Sequence, residues 1–389
     1  MRYFLLLLVV SLQSAYAQQT ILLDTYGAYN STGVRRQVTD AFLYGGLIDS
    51  SQINRSLANL QQRNTFGLQM GFNAQWQTPW SVSKDSRKWG SSYRWVLGAG
   101  IHQYAGLQFS KDLFGLVFRG GLPYAGDTLD LSNLRAEATI FSKIGFGIYN
   151  PDTKSSFLLH MVSVQQHLGA SIQKGTWFQD PSTAQIDLAL KGQANLAGSA
   201  ANTYGVAIDI DYHFGASDSA DNQQQFQLLV QNLGVARSAK STNYSLDGTL
   251  AYAGYSLAEW QQTSLDELTS SFLDSLGYQK SVGPSWMLLP AQIRLSKTLD
   301  WDSPQRLEAY YGAQFILRQT YTPLIYAGAQ LKVKKAWHTG LGMAYGGFGG
   351  LRMQAYSAFR FKRSELLLRS DNIALQNGAS LYLQFRCDF

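Results

Sequence analysis

The chain alternates apolar and polar residues over most of its length. Between residues 65 and 77, Phe66 and Met70 belong to the apolar set, while Gln69 and Asn73 belong to the polar set. A strand turns successive side chains to opposite faces, so this stretch predicts a strand with one apolar face. The same alternation recurs at 204–214, 306–318, 325–334, 351–362 and 381–389.

The number and length of these stretches predict the fold. They run for about 10 to 13 residues, whereas strands of globular proteins average about five or six. A tilted strand that crosses a bilayer needs about 9 to 11 residues, and bacterial single-chain barrels favour even strand numbers. We therefore expect an all-β fold, a transmembrane antiparallel β-barrel of about 14 strands, or alternatively 16, with short helical inserts. About fifteen candidate strands begin near residues 65, 93, 137, 156, 184, 204, 224, 245, 286, 306, 322, 337, 350, 364 and 379.

A secreted sandwich or propeller is the alternative, because its strands also alternate. The strand length favours the barrel. A closed ring also leaves no unpaired strand edge, which hydrocarbon would not tolerate.

The first residues, MRYFLLLLVVSLQSAYA, predict export. Arg2 supplies positive charge, residues 4–10 are apolar, and Ala15-Tyr16-Ala17 is typical of a cleavage site. No later stretch approaches the roughly 18 to 20 apolar residues of a membrane helix. We divide the chain into a signal peptide (1–17), an N-terminal segment (18–64) that is either a plug or a periplasmic element, and an outer-membrane barrel (65–389) of a Gram-negative bacterium.

Composition supports one continuous architecture. The formal net charge of +6 is scattered without a basic run, so we expect no nucleic-acid partner. Glycine (36) and the aromatic residues (20 Phe, 22 Tyr, 9 Trp) are abundant, as suits hairpins and a membrane boundary. The single cysteine, Cys387, cannot form an internal disulfide.

Three segments interrupt the strand pattern. Residues 18–64 contain apolar positions at helical spacing, which predict a short helix before the barrel. Residues 110–136 begin with Ser110 as an N-cap and break at Gly120-Gly121. Residues 264–276 have a capping box and an apolar stripe, and Gly277 ends that helix. Such helices are lids over the mouth, plugs in the lumen, or docking surfaces.

Candidate chemistry is sparse. No spacing typical of a hydrolase or a metalloprotease surrounds the five histidines. Asp209, Asp211 and His213 share one face of a strand and are the one set that resembles a metal or acid–base cluster, although polar residues facing a lumen are ordinary in barrels. We expect neither an enzyme, nor a cofactor, nor a metal.

The stretches DLFGLVFRGGLPYAGDTLDLSNL (112–134), LLVQNLG (228–234), MLLPAQIRL (287–295) and LLLRSDNIALQNGASLYLQF (366–385) resemble a family of uncharacterised outer-membrane barrels from Bacteroidota. That family is similar in architecture to the fatty-acid-channel type of barrel. The resemblance implies a barrel whose N-terminal segment plugs the lumen.

Two functions remain open at this point. The first is a plugged channel for uptake of a small hydrophobic molecule, with 110–136 as a hatch. The second is a non-transport subunit of an outer-membrane assembly, secretion or surface-attachment complex that binds a partner through the 264–276 helix. The expected lining of lumen and hatch is Phe114, Leu116, Phe118, Tyr124, Asp209, Asp211, His213, Arg352 and Arg360.

The last strand carries a further prediction. Leu383, Phe385 and the terminal Phe389 form an apolar face. We expect this strand to close the barrel in contact with outer-membrane lipid, and the outer-membrane assembly machinery to recognise it.

Overall fold

A computed structural model of the chain describes residues 19–79, 93–199, 201–219, 222–253, 274–298, 301, 305–374 and 376–389. The predicted signal peptide and most of the predicted 264–276 helix lie outside the described residues. The strands are β1 Thr20–Ser31, β2 Arg63–Pro79, β3 Arg94–Ser110, β4 Thr128–Asp130, β5 Leu134–Asn150, β6 Ser155–Gln179, β7 Ile186–Ala197, β8 Thr203–Ser219, β9 Asn222–Tyr252, β10 Gln279–Leu288, β11 Gln292–Lys297, β12 Leu307–Ile316, β13 Thr322–Lys334, β14 Trp337–Gly347, β15 Gly349–Arg360, β16 Ser364–Ser370 and β17 Gly378–Asp388; the helices are α1 Arg36–Tyr44, α2 Ser50–Asn59 and α3 Lys111–Arg119.

The strands form a closed antiparallel barrel of 14 positions, which confirms the predicted fold class. The ring closes through β1, which pairs with β17 on one side and with β2 on the other. Seventeen strands give fourteen positions for two reasons. The short strand β4 pairs only with β6 and adds no position to the ring, and two positions each hold two strands.

The two divided positions lie on one side of the barrel. β7 pairs with residues 167–179 of β6, and β8 pairs with residues 156–163 of the same strand, so β7 and β8 follow each other along one position. β10 and β11 share a position against β9 in the same way. The 25-residue β6 and the 31-residue β9 therefore extend the wall beyond the ring on this side.

The two ends of the barrel differ. We call the end that holds Thr20 and Asp388 the terminal end, and the opposite end the loop end. At the terminal end, β5 and β6 are joined by residues 151–154 and β13 and β14 by residues 335–336. All three helices lie at the loop end, where β1 leads to α1 and β3 leads to α3.

Side chains alternate between lumen and exterior as predicted. On β3, Trp95, Leu97 and Ile101 are exposed on the outer face, whereas Val96 and His102 are buried on the inner face. Many outward positions elsewhere are large, apolar and exposed, including Met70, Ile144, Met161, Ile325, Leu341 and Leu351. The barrel therefore carries an apolar exterior and an inner face that contains most of its polar residues.

Residues 18–64 depart from the sequence-based division. The barrel starts with β1 at Thr20, ahead of residue 65, where the sequence placed its start. The alternation of β1 is weak, because Leu22 and Ala28 share the inner face with Asp24 and Tyr26. The predicted helix over Ile53 and Leu57 is present as α2.

The three helices pack on the outside of the wall. Their buried side chains, among them Val38, Leu57 and Phe114, cover Phe109 and other outward residues of β2, β3 and β5. We call α1, α2, α3 and the 45–49 connection the collar. Among the described residues, no helix is both long and apolar enough to span a membrane.

Candidate functional site: the divided lumen

A polar cavity of about 540 Å³ opens inside the barrel at the terminal end. It continues inward into a second cavity of about 120 Å³, with which it shares lining residues such as Arg294 and Gln227. Amide side chains dominate the larger cavity, and five aromatic side chains stand between them. The amides are Gln75, Gln77, Gln225, Gln227, Gln330, Gln354 and Gln384, and the aromatic residues are Tyr149, Trp301, Tyr310, Tyr326 and Tyr356.

Ion pairs neutralise most charges of this cavity. Arg360 Nε lies 2.9 Å from a carboxylate oxygen of Glu365, and Lys297 Nζ lies 3.5 Å from one of Glu308. Arg294 lines both cavities, and its Nε has no hydrogen-bond partner among the described residues. The cavity therefore presents both hydrogen-bond donors and hydrogen-bond acceptors, and most of its charges are paired.

Aromatic residues narrow the inner end of the lumen. The Tyr26 hydroxyl lies 3.1 Å from Nδ1 of His102, and the Tyr26 ring stacks on Tyr382 at a centroid distance of 5.9 Å. The His102 ring stacks in turn on Phe141 at 5.0 Å. These contacts connect β17, β1, β3 and β5 at one level of the barrel.

A buried ion pair continues this level along the inner wall. Lys143 Nζ on β5 lies 2.6 Å from Asp209 Oδ2 on β8, and it donates a second hydrogen bond of 2.6 Å to Asn232 Oδ1. The Lys143 side chain is 1% exposed. His160 Nε2 approaches the same Asp209 oxygen to 3.1 Å without a well-directed hydrogen bond. Hydrogen bonds to the two charges offset the cost of removing such a pair from water.

A bulge in β9 positions this network. The register between β8 and β9 shifts between Ile208 and Ile210, and Asn232 has a φ of 60° at that point. Asparagine tolerates this left-handed backbone better than most residues. The bulge directs the Asn232 backbone N–H to Asp209 Oδ1 at 2.7 Å.

Two turns of the loop end fold inward and cross the lumen. In the β12–β13 turn, Thr320 Oγ1 lies 3.0 Å from the Tyr104 hydroxyl of β3, and Arg318 Nε lies 3.6 Å from Glu137 of β5. In the β14–β15 turn, the Phe348 ring packs against Tyr104 and Tyr321 at centroid distances of 5.7 and 5.1 Å. From here on, the word hatch means residues 317–321 and Phe348, and no longer residues 110–136.

Two glycines make room for the hatch. Gly67 of β2 and Gly106 of β3 are cross-strand partners on the inner face. A Cβ on Gly67 would lie 2.2 Å from the Phe348 ring, and a Cβ on Gly106 would lie 2.1 Å from Thr320 Oγ1. The inner face of β2 and β3 thus has a recess into which both turns fit. The β12–β13 turn reaches this recess from about half a circumference away.

A third cavity lies beyond the hatch, at the loop end. Its volume is about 690 Å³, and its lining includes Arg135, Glu137, Asn195 and Lys280. It shares no lining residue with either cavity of the terminal side. In the described part of the chain, the lumen is therefore two polar compartments separated by the hatch and the aromatic level beneath it.

The residues expected in the lumen divide into two groups. Asp211, His213 and Arg360 line the terminal-end cavity, and Asp209 lines the deeper one. Arg352 is buried and donates a hydrogen bond of 3.1 Å to the Gly346 carbonyl beside the hatch. The described residues include no group of three His, Cys, Asp or Glu side chains that could hold a metal ion.

The other expected lining residues lie outside the lumen, which corrects the sequence-based interpretation of 110–136. Phe114 and Phe118 pack against outward residues of the wall as part of the collar. Leu116 and Tyr124 pack against Leu129, Leu131 and Trp177. These apolar groups pack against the outside of the wall because the outer faces of β2, β3, β5 and the end of β6 are apolar there too.

The hatch was not found from the sequence. Its residues lie in short turns, whose lengths suggest ordinary hairpin connections. The one available signal was glycine inside strands, since an isolated strand glycine often marks a close backbone approach. Gly67 and Gly106 fit that description, but without the register nothing showed that they are partners.

The last strand, β17, pairs with β16 on one side and with β1 on the other. Leu383 pairs with Thr25 of β1 and Leu368 of β16, and Phe385 lies next to it on the same face. Phe389 is exposed, and its backbone N–H bonds to the Gln19 carbonyl at 2.9 Å. Its recognition by assembly machinery stays a prediction.

No protein-family model and no curated protein matches this sequence. Among solved structures, similar chains include a Pseudomonas aeruginosa FadL homologue (11% identity, 96% of this chain, 90% of that chain, TM-score 0.38), the Ralstonia pickettii toluene transporter TbuX (10%, 96%, 90%, 0.33) and the translocator domain of the autotransporter NalP from Neisseria meningitidis (6%, 100%, 94%, 0.28). These TM-scores are too low to transfer any structural detail or function from those proteins, so the proposals below rest on this chain's own contacts.

Proposed function

We propose that the chain is an outer-membrane β-barrel. Each strand position of its closed ring pairs with a neighbour on both sides, and such closure is what lets a sheet span a bilayer. Large apolar side chains such as Ile144, Met161 and Ile325 are exposed on the outer face, and lipid would cover them. We also propose that the chain is exported through the predicted signal peptide and that it is related to the Bacteroidota barrels that it resembles.

We infer further that the lumen is a gated path for small hydrophilic solutes. The observation that carries this inference is the hatch, which is held across the lumen by polar contacts to Tyr104 and Glu137 between two polar compartments. Short turns are easier to displace than wall strands, because their removal from the lumen breaks no strand pairing. Displacement of the hatch would open a path between the compartments.

The lining favours a hydrophilic cargo over a hydrophobic one. An apolar cargo was expected to meet Phe114, Leu116, Phe118 and Tyr124, but these side chains pack outside the wall. The described lumen offers glutamine amides, tyrosines and paired charges instead. Amides and aromatic faces suit a neutral or zwitterionic solute that forms hydrogen bonds.

The alternative is a non-transport subunit that binds a partner through the 264–276 helix. Most of that helix lies outside the described residues, so this function stays a prediction without a supporting contact.

A reversible lock on the hatch tests the gated path. Gly106→Cys and Thr320→Cys, in a Cys387→Ser background, bring two thiols together where a Cβ on Gly106 would lie 2.8 Å from the Thr320 Cβ. Disulfides need a Cβ separation of about 3.5 to 4.5 Å, which a small shift of the turn supplies. We expect uptake of small sugars into proteoliposomes to stop on oxidation and to return on reduction.

The matched control is Ala309→Cys with Ala329→Cys, a cross-strand pair on the outer face of β12 and β13. That disulfide joins wall strands and leaves the hatch free, so uptake should not respond to oxidation. Uptake that ignores the hatch lock, or an absence of uptake through the reduced protein, would contradict the gated path.

A further inference from the structure

The collar has an apolar surface that nothing in the described chain covers. Three side chains at the end of α1 and in the connection to α2 are highly exposed: Phe42 at 75%, Tyr44 at 77% and Leu47 at 97%. Val117 and Leu122, on and after α3, are also exposed. Exposed apolar groups gathered on one structural unit mark a surface that contacts something other than water.

The collar continues the apolar exterior of the barrel. On β2, Phe66 is partly buried under the collar, whereas Met70 and Phe72 are exposed below it. Phe66 and Met70 are four residues apart, which is about 13 Å along a strand. On β3, the exposed residues end below Leu107, which the collar covers. The collar therefore begins where the exposed apolar band ends.

The height of that band fits a bilayer. On β3 the outward positions below the collar run from Trp95 to Ala105; those up to Ile101 are exposed, Gln103 and Ala105 are partly buried, and collar contact begins at Leu107. Ten residues of tilted strand span roughly the 25 Å of the apolar band of outer-membrane barrels. This places the collar at the membrane–water boundary, where aromatic side chains such as Phe42 and Tyr44 are favoured.

The charge of the collar also fits that boundary. The collar contains four basic and three acidic residues, a net charge of +1, and two further arginines, Arg35 and Arg63, flank it. Arg55, Arg63, Lys111 and Arg119 are exposed. A basic and apolar helical surface binds the interface of membranes that contain anionic lipids.

From these observations we propose that the collar is a lipid-binding element. Phe42, Tyr44 and Leu47 enter the bilayer boundary of the leaflet at the loop end, while the exposed basic side chains contact lipid phosphates. This assignment rests on the proposed outer-membrane location, and it gives the helices outside the wall an anchoring role instead of a role in the lumen.

Depth-dependent fluorescence quenching tests the proposal. In a Cys387→Ser background, single cysteines replace Leu47 in the collar, Ile101 in the exposed band of β3, and Ser182 in the connection between β6 and β7. Each carries an environment-sensitive label and is reconstituted into phosphatidylcholine vesicles with and without phosphatidylglycerol. Quenchers are lipids with a nitroxide near the headgroup or deep in the acyl chain, and aqueous iodide.

We expect the label at position 101 to be quenched by the deep nitroxide, the label at 47 by the shallow nitroxide, and the label at 182 by iodide alone. Phosphatidylglycerol should strengthen the shallow quenching at 47. Arg55→Glu with Arg63→Glu should remove that dependence while leaving the label at 101 unchanged.

Each contrary result has a separate meaning. Iodide quenching at 47 like that at 182 would overturn the lipid contact. Protection of position 47 from both lipid and iodide in native membranes, but not in vesicles of the purified protein, would overturn it in favour of a protein partner. Loss of deep quenching at 101 would instead contradict the outer-membrane barrel itself.

Discussion

The ring of Phe348 occupies the space that a side chain on Gly67 would need, since a Cβ there would lie 2.2 Å from the ring. Gly67 belongs to β2, and Phe348 belongs to the turn between β14 and β15. The Thr65 hydroxyl also donates to the Phe348 carbonyl at 3.1 Å. A glycine in the wall and an aromatic residue in a turn thus jointly close the lumen.

Gly67→Ala should loosen the hatch. The new methyl group needs the space of the Phe348 ring, and Gly346 and Gly347, with φ of 100° and 68°, give the turn freedom to retreat. We expect a folded barrel that is less stable by about 1 to 3 kcal/mol, as in other overpacked sites, with raised single-channel conductance. Planar-bilayer recordings and urea unfolding measure the two effects.

The control for this variant is Gly27→Ala, because a Cβ on Gly27 of β1 meets no atom within 4 Å. It should change neither conductance nor hatch stability. Equal conductance in the Gly67→Ala and Gly27→Ala proteins would refute a hatch held by Phe348.

Most of the wall could be predicted from the sequence, because lipid and lumen impose a strict two-residue period on it. The candidate starts near 322, 337 and 364 match β13, β14 and β16. The count of fifteen differs from the ring of fourteen for a physical reason. Candidates 224 and 245 are one strand, β9, and candidates 184 and 204 share one position as β7 and β8, while β1 escaped detection.

The interior could be predicted only in part. Strand parity placed Asp209, Asp211 and His213 on the inner face, but parity carries no information about which strands face each other. The contact of Tyr104 with Thr320 spans 216 positions of sequence and depends on ring closure. The apolar helix α3 was expected in the lumen but lies outside the wall. Its helical period shows only that one face is buried and does not reveal which side of the wall that face covers.

Lys143→Met should destabilise the barrel by about 3 to 5 kcal/mol, because it leaves the buried Asp209 carboxylate without its cation. Lys191→Met is the matched control. Lys191 also lies 2.6 Å from its partner, Asp247, but the two side chains are 50% and 69% exposed. Exposed pairs contribute about 0 to 1 kcal/mol. Urea unfolding in detergent micelles compares the variants.

Adding Asp209→Asn to Lys143→Met should recover part of the lost stability, since the double variant buries no unpaired charge. If the single and double variants unfolded at the same urea concentration, the destabilisation would have come from lost packing around the lysine stem and not from an uncompensated carboxylate.

Ala329→Arg tests the face assignment of β13. Ala329 is exposed on the outer face midway along the strand, so an arginine there should cost about 2 to 4 kcal/mol in a bilayer. Gln384→Arg places the same side chain in the terminal-end cavity, which is open at that end of the barrel, and should cost far less. Folding titrations in lipid vesicles would disprove the assignment if the two costs were equal.

Ser110→Ala should loosen the collar without opening the lumen. The Ser110 Oγ accepts a hydrogen bond of 3.1 Å from the Leu113 N–H at the start of α3, and it donates one of 2.6 Å to the Asp130 carbonyl. Loss of such a cap costs about 1 kcal/mol. Hydrogen exchange should accelerate in residues 111–119 while conductance stays unchanged. Faster exchange across the wall strands as well would mean that the collar and barrel unfold together.

Phe389→Lys should lower the amount of protein assembled in the outer membrane while export across the inner membrane continues. Phe389 is 61% exposed and follows the outward residues Leu383 and Phe385, so a charge there interrupts the apolar outer face of β17, the strand that has to pair with β1 during assembly. Gln384→Lys is the control, because that position of the same strand lines the cavity. Membrane fractionation and the heat-dependent mobility of the folded barrel report assembly, and cleavage of the predicted signal peptide reports export. If Gln384→Lys reduced assembly as much as Phe389→Lys, any added charge in β17 would be harmful and the terminal aromatic residue would have no special role.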